Sequence, residues 1–393
     1  MSSLRVCYYG AYDLTEPHNT TFLAGLRKAG VEVVECNLPQ KGKRDEAANY
    51  KGAGKMLAVA WGFLKNGFSL FFRLLHLKNL DAIVVGYPGY FDVPFARVAG
   101  LVKRIPVLFN VHISLYETIV VDRKFVAEKS VLARALKFYD RLLFKLSNAV
   151  IVDTNAHCEY FSELYNIPRE KFQRVFVGAD AIFQPRPASR NEKIKVLFYG
   201  SFVPLQGIEH IIHAAHLLKD EPDILFEIIG RGQTRDEMLA LAQSLSLKNI
   251  NFIEWVSLNE LVDHIAAADI CLGGQFGEGT KANLVIGYKC FQMLACGRPV
   301  IVSNSAGNRE LLTHGEDSFM CNAADPEDLS RAILTLSQDA DFRKKIAAGA
   351  LQTYQSRCSA EHIGAELQRI IENEINPRSA SAQEILLHTH EPQ

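Results

Sequence analysis

The stretch from Lys281 to Leu312 holds the residues best suited to binding a phosphate. It reads KANLVIGYKCFQMLACGRPVIVSNSAGNRELL and combines a polar, glycine-bearing approach, a short helical pattern, a Cys-Gly-Arg-Pro stop, an apolar strand and a Gly-Asn turn. Free N–H groups at a helix N-terminus and the helix dipole favour negative charge. Lys289 at the start of the helical pattern, and Glu310 after the turn, are the candidate charged groups. For Glu310 the alternative is a helix-start glutamate that complements the helix dipole.

Two glycine turns that follow predicted strands add further phosphate-binding candidates. The segment YGSFVPLQG places Gly200 and Ser201 after one strand, and IIGRGQ places Gly230 and Arg231 after the next. Glycine permits a close backbone approach, and Arg231 and Lys281 bring positive charge that could neutralise a phosphate. For Arg231 the alternative is a solvent-exposed turn residue.

In the N-terminal half, His112 follows a buried strand in the sequence FNVHIS. Its imidazole could bind a sugar hydroxyl or shuttle a proton, and the alternative is a histidine that is packed for structural reasons. Asn19, in the loop after the first strand, is interpreted either as a ligand contact or as a helix N-cap.

The elements that position these residues alternate between apolar strands and helices, twice over. Continuous apolar strands separated by helices indicate a parallel sheet covered on both faces. The pattern therefore predicts an α/β fold of two Rossmann-like, doubly wound parallel-sheet domains, with the ligand crevice between them at the carboxyl ends of the strands. The strands are predicted at Leu4 to Tyr9, Val31 to Cys36, Ala82 to Val85, Pro106 to Asn110, Ala149 to Val152, Lys195 to Tyr199, Leu225 to Ile229, Ile250 to Glu254, Ile270 to Gly273 and Val300 to Val302.

Composition shifts set the expected domain boundaries. We expect an N-terminal domain over 1–183, a linker over 184–194 in the Pro- and charge-rich run FQPRPASRNEK, and a second domain over 195–355. A helix over 356–375 follows, with the alternative that it crosses back to the first domain. The remaining residues, 376–393, lack an apolar period and are expected to form a mobile tail.

Composition and absent motifs exclude several classes of protein. The 393-residue chain has a net charge of −1, so no global field favours nucleic acid. Its eight cysteines show no CxxC spacing and are expected to be reduced and packed in the interior. The sequence lacks the GxGxxG, Walker, GxSxG and HExxH motifs of common dehydrogenases, NTPases, hydrolases and zincins. With no signal peptide or membrane span expected, a cytoplasmic location is predicted.

In order and spacing, the C-terminal segments resemble the donor-binding domain of family 4 (group 1) glycosyltransferases with the GT-B fold. The string HGEDSFMCNAADPEDLSRAI is similar to the family's DGxxGxLVxPxDPExLAxAI segment. This resemblance implies a retaining, hexosyltransferase-type enzyme that uses a nucleotide-sugar donor, most simply a UDP- or GDP-sugar, and requires no metal or other cofactor. The acceptor would be a hydroxyl of a glycan, a lipid-linked sugar or a small molecule. The resemblance also implies that the domain over 1–183 is the acceptor-side domain and that the domain over 195–355 is the nucleotide-sugar-binding domain.

The chain departs from the family pattern at four positions. The family's paired glutamates, eight positions apart, fall on Leu284 and Gln292, and its basic pair falls on Ser201 and Gln206. A subgroup that lacks the glutamate pair opens the helix with a lysine, which the Tyr288-Lys289 pair resembles. The resemblance thus implies catalytic roles for His112, Glu310 and Lys289, and donor-binding roles for Gly200, Ser201, Gly230, Arg231, Lys281, Gln292 and Asn308.

The same departures favour a second interpretation, in which the chain is a non-catalytic, nucleotide-sugar-binding or scaffold subunit of a partner transferase. A third interpretation is a GT-B epimerase. That enzyme would need carboxylate acid/base pairs, for which the sequence offers few candidates.

Residues 41–78 carry a basic amphipathic pattern. The segment has eight Lys and Arg residues against Asp45 and Glu46, and its large apolar residues recur at three- and four-residue intervals. This pattern favours docking at an anionic surface, on the inner face of a membrane, and the alternative is a helix that packs into the core. The apolar positions are Leu57, Trp61, Leu64, Phe68, Phe71 and Leu75.

Overall fold

The computed structural model of the protein describes residues 3–38, 66–122, 124–187 and 192–377. They form two compact units. Unit 1 comprises the described residues within Met1–Asp153, Cys158–Phe176 and Ala360–Gln393, and unit 2 those within Thr154–His157 and Val177–Ser359. The last strand of unit 1 ends at Arg174, so the chain leaves this unit before residue 183, and its final helix returns to it.

Unit 1 is built on a sheet of six parallel strands in the order β2-β1-β3-β4-β5-β6. Apolar runs such as AIVV and AVIV are buried along their whole length because helices cover both faces of the sheet. β6 was not predicted, since its three residues FQR show no apolar run. The strands are β1 (Arg5–Gly10), β2 (Glu32–Asn37), β3 (Ala82–Val85), β4 (Val107–Asn110), β5 (Ala149–Val152) and β6 (Phe172–Arg174).

The helices of unit 1 pack on opposite faces of this sheet. One face carries the apolar sides of α2 (66–76), α3 (Val93–Lys103), α4 (Val131–Leu146) and α5 (Asn155–Tyr165) in one core cluster, and a short π-helical turn, Glu117–Asp122, precedes α4. The other face packs against α1 (Pro17–Lys28) and a C-terminal helix, Ala360–Ile375.

The C-terminal helix is tied to unit 1 by apolar and charged contacts. Its Ile363 and Leu367 lie in the same cluster as Phe22 and Leu26 of α1. Lys28 pairs with Glu361 at 2.7 Å on the exposed edge of this packing. The helix therefore completes the second face of the unit 1 sheet.

Unit 2 repeats the architecture with six parallel strands in the order β12-β11-β10-β7-β8-β9. The predicted fold class, two Rossmann-like parallel sheets, is confirmed. β12 was missed, because it is short and only partly buried. The strands are β7 (Ile194–Tyr199), β8 (Ile224–Ile229), β9 (Ile250–Ile253), β10 (Ile270–Leu272), β11 (Val300–Ser303) and β12 (Phe319–Cys321).

The helices of unit 2 begin with side-chain caps at several points where the sequence offers them. Ser257 and Glu260 form a reciprocal capping box at the start of α8, and Asp325 caps α12. The helices are α6 (Ile208–Leu217), α7 (Arg235–Ser244), α8 (Leu258–Ala267), α9 (Thr280–Leu284), α10 (Tyr288–Ala295), α11 (Ala306–Leu311), α12 (Pro326–Gln338) and α13 (Ala340–Thr353), and the C-terminal helix is α14 (Ala360–Ile375).

All eight cysteines are buried free thiols, which confirms the prediction made from their spacing. Within the described ranges, no helix combines the length and the apolar character that crossing a bilayer requires.

Candidate functional site

The strand order of unit 2 reverses between β7 and β10, which are adjacent in the sheet. In an open parallel sheet, ligands bind outside the carboxyl ends of the strands at this reversal, where the two following loops diverge. Gly200 follows β7, and the sequence GGQFGEG over 273–279 follows β10. These two loops define the candidate site of unit 2.

The two loops are joined by backbone hydrogen bonds. Phe276 N donates to Gln206 O at 3.1 Å, and Gly277 N donates to Leu205 O at 3.3 Å. A side chain at Gly277 would place its Cβ 2.3 Å from Pro204 O, so only glycine permits this approach. The result is a fixed backbone position for Gln206, beside the carboxyl end of β7.

Lys289 reaches this position from α10. Its Nζ donates a hydrogen bond to Gln206 Oε1 and lies 4.0 Å from the centre of the Phe198 ring. The side chain is almost fully buried, and burial lowers the pKa of Lys289 to about 7. Desolvation disfavours the ammonium form of Lys289. An anion bound beside this group would favour that form and so promote protonation of the amine.

The first turn of α10 is held by two tyrosines. Tyr199 OH donates to Gln292 Oε1 at 2.8 Å and approaches Lys289 O at 3.3 Å, and Tyr288 OH donates to Asp180 Oδ2 at 2.8 Å. Burial raises the pKa of Tyr199, so its hydroxyl stays a donor. No side chain among the described residues caps the start of α10. Cys290 N of this turn donates to Gly287 O at 2.8 Å, and the preceding N–H groups, of Tyr288 and Lys289, are the candidates for binding an anion.

The glycine turn after β8 packs against the turn after β7. A Cβ at Gly230 would lie 1.9 Å from Gly200 O. Position 230 therefore needs a glycine because the two loops pack so closely that a side chain would clash. Arg231 is exposed, pairs with Glu254 at 3.3 Å and lies 5.8 Å from the Trp255 ring. Its guanidinium sits on the rim of unit 2 and is less constrained than the ammonium of Lys289.

Asn308 and Lys281 lie on the two short helices that flank α10. Asn308 is buried, and its amide donates to Ser303 O at 2.8 Å, which ties α11 to the end of β11. Lys281 lies in the first turn of α9 and is partly exposed. Ser201 is exposed directly after Gly200. These residues lie on the loops and short helices around the carboxyl edge of the sheet.

The Glu310 carboxylate accepts two backbone hydrogen bonds within unit 2. Asn155 N lies 2.7 Å from one oxygen, and Ala156 N lies 2.6 Å from the other. Asn155 is the first residue of α5, so the carboxylate acts as a cap for the start of that helix. Leu284, at a family glutamate position, is buried, and its carbonyl accepts a 2.6 Å bond from Thr154 Oγ1.

In unit 1, His112 follows β4 and stacks on His18. The ring centres are 3.5 Å apart with a 35° tilt, and the Tyr87 ring lies 6.1 Å from His112. His112 adopts a left-handed backbone conformation, φ 52°, that is uncommon for a residue with a side chain. Strain of this kind clusters at binding sites and at tight turns.

Asn19 belongs to the same edge of unit 1. It lies inside α1 and is buried, and its Nδ2 donates to Tyr87 O at 2.8 Å while its Oδ1 accepts from Tyr8 OH at 3.0 Å. The N-cap interpretation of Asn19 is therefore wrong, because Glu16 occupies the cap position. The asparagine instead joins the loops that follow β1 and β3.

Two sequence families match the chain over adjoining ranges. The family described as "Glycosyl transferases group 1" matches residues 180–353, and the "Glycosyl transferase 4-like domain" matches residues 5–178. Together the two matches extend over most of the chain. The chain belongs to the group 1, family 4 glycosyltransferases.

Curated relatives are named glycosyltransferases, and a solved structure shares the fold. An uncharacterised glycosyltransferase from Methanocaldococcus jannaschii is 25% identical over 61% of this chain and 63% of its own length. The chain described here therefore matches less than two thirds of the length of that relative. The Campylobacter jejuni N,N'-diacetylbacillosaminyl-diphospho-undecaprenol alpha-1,3-N-acetylgalactosaminyltransferase is 22% identical over 79% of this chain and 82% of its own length. The crystal structure of Anabaena HepE in complex with UDP has a TM-score of 0.67 at 13% identity, covering 94% of this chain and all of that one.

Sequence reasoning missed two features of this glycosyltransferase. The contact between Lys289 and Gln206 joins residues 83 positions apart and leaves no local pattern. Gln275 is buried after β10, and its Oε1 has no hydrogen-bond partner among the described residues. The glycine-rich run GGQFGEG, directly after a predicted strand, was the signal that could have identified Gln275.

Proposed function

We propose that the protein transfers a hexose from a nucleoside diphosphate-sugar, a UDP- or GDP-sugar, to an acceptor hydroxyl. The observation that carries this function is the buried ammonium of Lys289 at the carboxyl end of β7, beside Gln206. An isolated cation in such a place is costly unless an anion compensates it. A departing diphosphate supplies that anion.

Lys289 takes over the role that a basic residue of the loop after β7 has in similar transferases. The family pattern has two basic residues in the loop after the first strand of this domain, and the second of them corresponds to Gln206, which is neutral. The side chain of Gln206 contacts Lys289 directly. One positive charge is thus kept beside the loop, although α10 now provides it.

In the proposed reaction, the bond between the anomeric carbon and the diphosphate oxygen breaks as the acceptor oxygen bonds to that carbon. The acceptor approaches the face that the diphosphate leaves, so configuration is retained, and the acceptor proton passes to the departing phosphate oxygen. Charge on that oxygen grows in the transition state, where a preorganised cation and helix-start N–H groups are most effective. Lys289 and the first turn of α10 fill these roles, and the proposal requires no metal.

The remaining candidate residues are assigned to the donor and its sugar. We propose that Gln292 hydrogen-bonds the ribose, and that Arg231 and Lys281 approach the diphosphate from the rim of unit 2. His112 is proposed to contact the transferred sugar. Glu310 is proposed to orient it, although its carboxylate caps α5 in this structure. Gly200, Ser201, Gly230 and Asn308 shape the surrounding backbone.

A lipid-linked acceptor is proposed, at the inner face of a membrane in the cytoplasm. The name of the Campylobacter jejuni relative specifies a diphospho-undecaprenol acceptor, and that relative aligns with 79% of this chain. Of the basic segment 41–78, residues 41–65 lie outside the described residues. In α2, Phe71 and Leu75 pack against the core, whereas Phe68 is exposed.

A non-catalytic, nucleotide-sugar-binding subunit is the second candidate, because Leu284 is buried at a position where the family carries a carboxylate. Both candidates bind a donor, and only the transferase releases free nucleotide from it. Binding and release therefore have to be measured separately.

The experiment is a thermal-shift panel of UDP-, GDP-, ADP- and TDP-sugars, followed by nucleotide release with the donor that binds. We expect sugars of one nucleotide class to raise the Tm of the protein, and we expect the protein to release free nucleotide from them. Lys289→Met should lower the release rate by about 10²- to 10³-fold, whereas Lys248→Met, on an exposed loop lysine, should not. No shift with any donor contradicts the function, and a shift without release favours the non-catalytic subunit.

A further inference from the structure

α3 and α4 of unit 1 present large apolar side chains to solvent. Val102, Val131 and Phe138 expose 68%, 75% and 68% of their surface, and Leu101 exposes 61%. Val98 and Leu142 are exposed on the same two helices. Several large apolar side chains exposed together on neighbouring helices usually mark an interaction site.

These residues share one surface because of how the helices pack. Ala96 and Ala99 of α3 and Leu143 and Phe144 of α4 lie in one core cluster on a single face of the sheet. β3, β4 and β5 are adjacent and parallel, so α3 and α4, which connect them, lie side by side. The sides opposite the core therefore face the same direction. We call the exposed side chains of α3 and α4 the α3–α4 face.

The charges on the α3–α4 face are all positive. α4 carries Arg134, Lys137, Arg141 and Lys145, and its one acidic residue, Asp140, is fully buried. Between Val93 and Lys103, α3 carries two basic residues and, within those described residues, no acidic one. The chain as a whole has a net charge of −1, so this face is a local concentration of positive charge.

We propose that the α3–α4 face docks onto an anionic phospholipid bilayer. Apolar side chains enter the boundary between headgroups and acyl chains, and the flanking cations contact lipid phosphates. A second copy of this chain fits less well, because a two-fold interface would place these cations against each other. The exposed Phe68 and Phe72 of α2, which packs on the same face of the sheet, extend the apolar surface.

The test is co-sedimentation of the full chain with vesicles of phosphatidylcholine, with or without about 30 mol% phosphatidylglycerol, in the absence of donor. The wild type should bind the anionic vesicles, bind phosphatidylcholine alone weakly, and dissociate as salt rises. Leu101→Asp with Phe138→Asp, and separately Arg134→Glu with Lys145→Glu, should each weaken binding roughly tenfold or more.

Two control variants carry the same chemical changes on exposed positions of unit 2. They are the pair Leu217→Asp with Leu258→Asp and the pair Lys219→Glu with Lys248→Glu, and both should bind vesicles like the wild type. All altered side chains are exposed or at the rim, so each variant should keep its Tm.

Three outcomes would overturn the docking proposal: no binding of the wild type to anionic vesicles, face variants that bind like the wild type, or controls that lose binding equally. Light scattering on the same proteins identifies the alternative occupant. A wild-type dimer that the face variants dissociate, with no vesicle binding, would show that the α3–α4 face is a protein interface. Because no donor is present, neither result affects the proposed transfer reaction.

Discussion

At the residue scale, Lys289 shows how one buried charge can indicate a ligand. Its ammonium lies beside an amide and over an aromatic ring, and neither group carries a full negative charge. Burial alone lowers the pKa to about 7. A group poised near neutral pH in this way is typical of a site that binds or releases charge.

Binding of a nucleoside diphosphate should draw a proton to Lys289. At pH about 8, above the pKa of the free protein, the amine is mostly neutral, and a bound diphosphate raises that pKa by opposite charge. We expect uptake of nearly one proton per UDP or GDP bound at pH 8 and less at pH 6. Affinity should therefore weaken as pH rises above about 7.

Calorimetry in two buffers with different ionisation enthalpies measures this uptake. Lys289→Arg is the matched variant, because a guanidinium stays charged throughout this range and should take up no proton from this site. Equal uptake by the wild type and Lys289→Arg would show that another group titrates.

At the element scale, Glu310 links the end of α11 to the two residues that open α5. It lies in α11, and its carboxylate accepts the first N–H groups of α5 from Asn155 and Ala156. Charge-assisted caps of this kind stabilise a helix N-terminus more than neutral ones do.

Glu310→Gln should therefore lower the free energy of unfolding by about 1–2 kcal/mol, measured by urea denaturation. Glu221→Gln, at an exposed loop position, is the control and should change it little. If Glu310 also orients the sugar, turnover of Glu310→Gln should fall even where the protein is fully folded. Unchanged stability would mean that the two hydrogen bonds do not hold the helix.

The elements were predictable from the sequence to different degrees. Strands such as Ala82–Val85 were predicted because every residue is apolar and buried on both faces. β6 and β12 were missed because each has only three residues, FQR and FMC, which is too short for a strand pattern to be recognised. Gly200 and Gly230 were expected to permit a close backbone approach, and their binding of the donor stays a prediction. The reason for Gly230 proved to be contact between two loops, which no local pattern encodes.

At the scale of the whole molecule, two sheets of the same type were predictable and the division between them was less so. Repetition of strand and helix indicates two units, whereas the place where the chain changes unit depends on long-range packing. Phe172–Arg174 adds a sixth strand to unit 1, and α14 returns to cover its second face. Charge is also divided unevenly, since the α3–α4 face is positive in a chain that is nearly neutral overall.

Lys289 is proposed to supply, from α10, the positive charge that binds the donor diphosphate beside Gln206. The most direct measurement is the Kd of UDP and GDP for the wild type, Lys289→Gln, Gln206→Lys and the double exchange. We predict that Lys289→Gln weakens binding about 10- to 100-fold. The double exchange, which moves the lysine to the loop, should recover most of that loss. Binding unchanged in Lys289→Gln, or a double exchange no better than that single variant, would contradict the account.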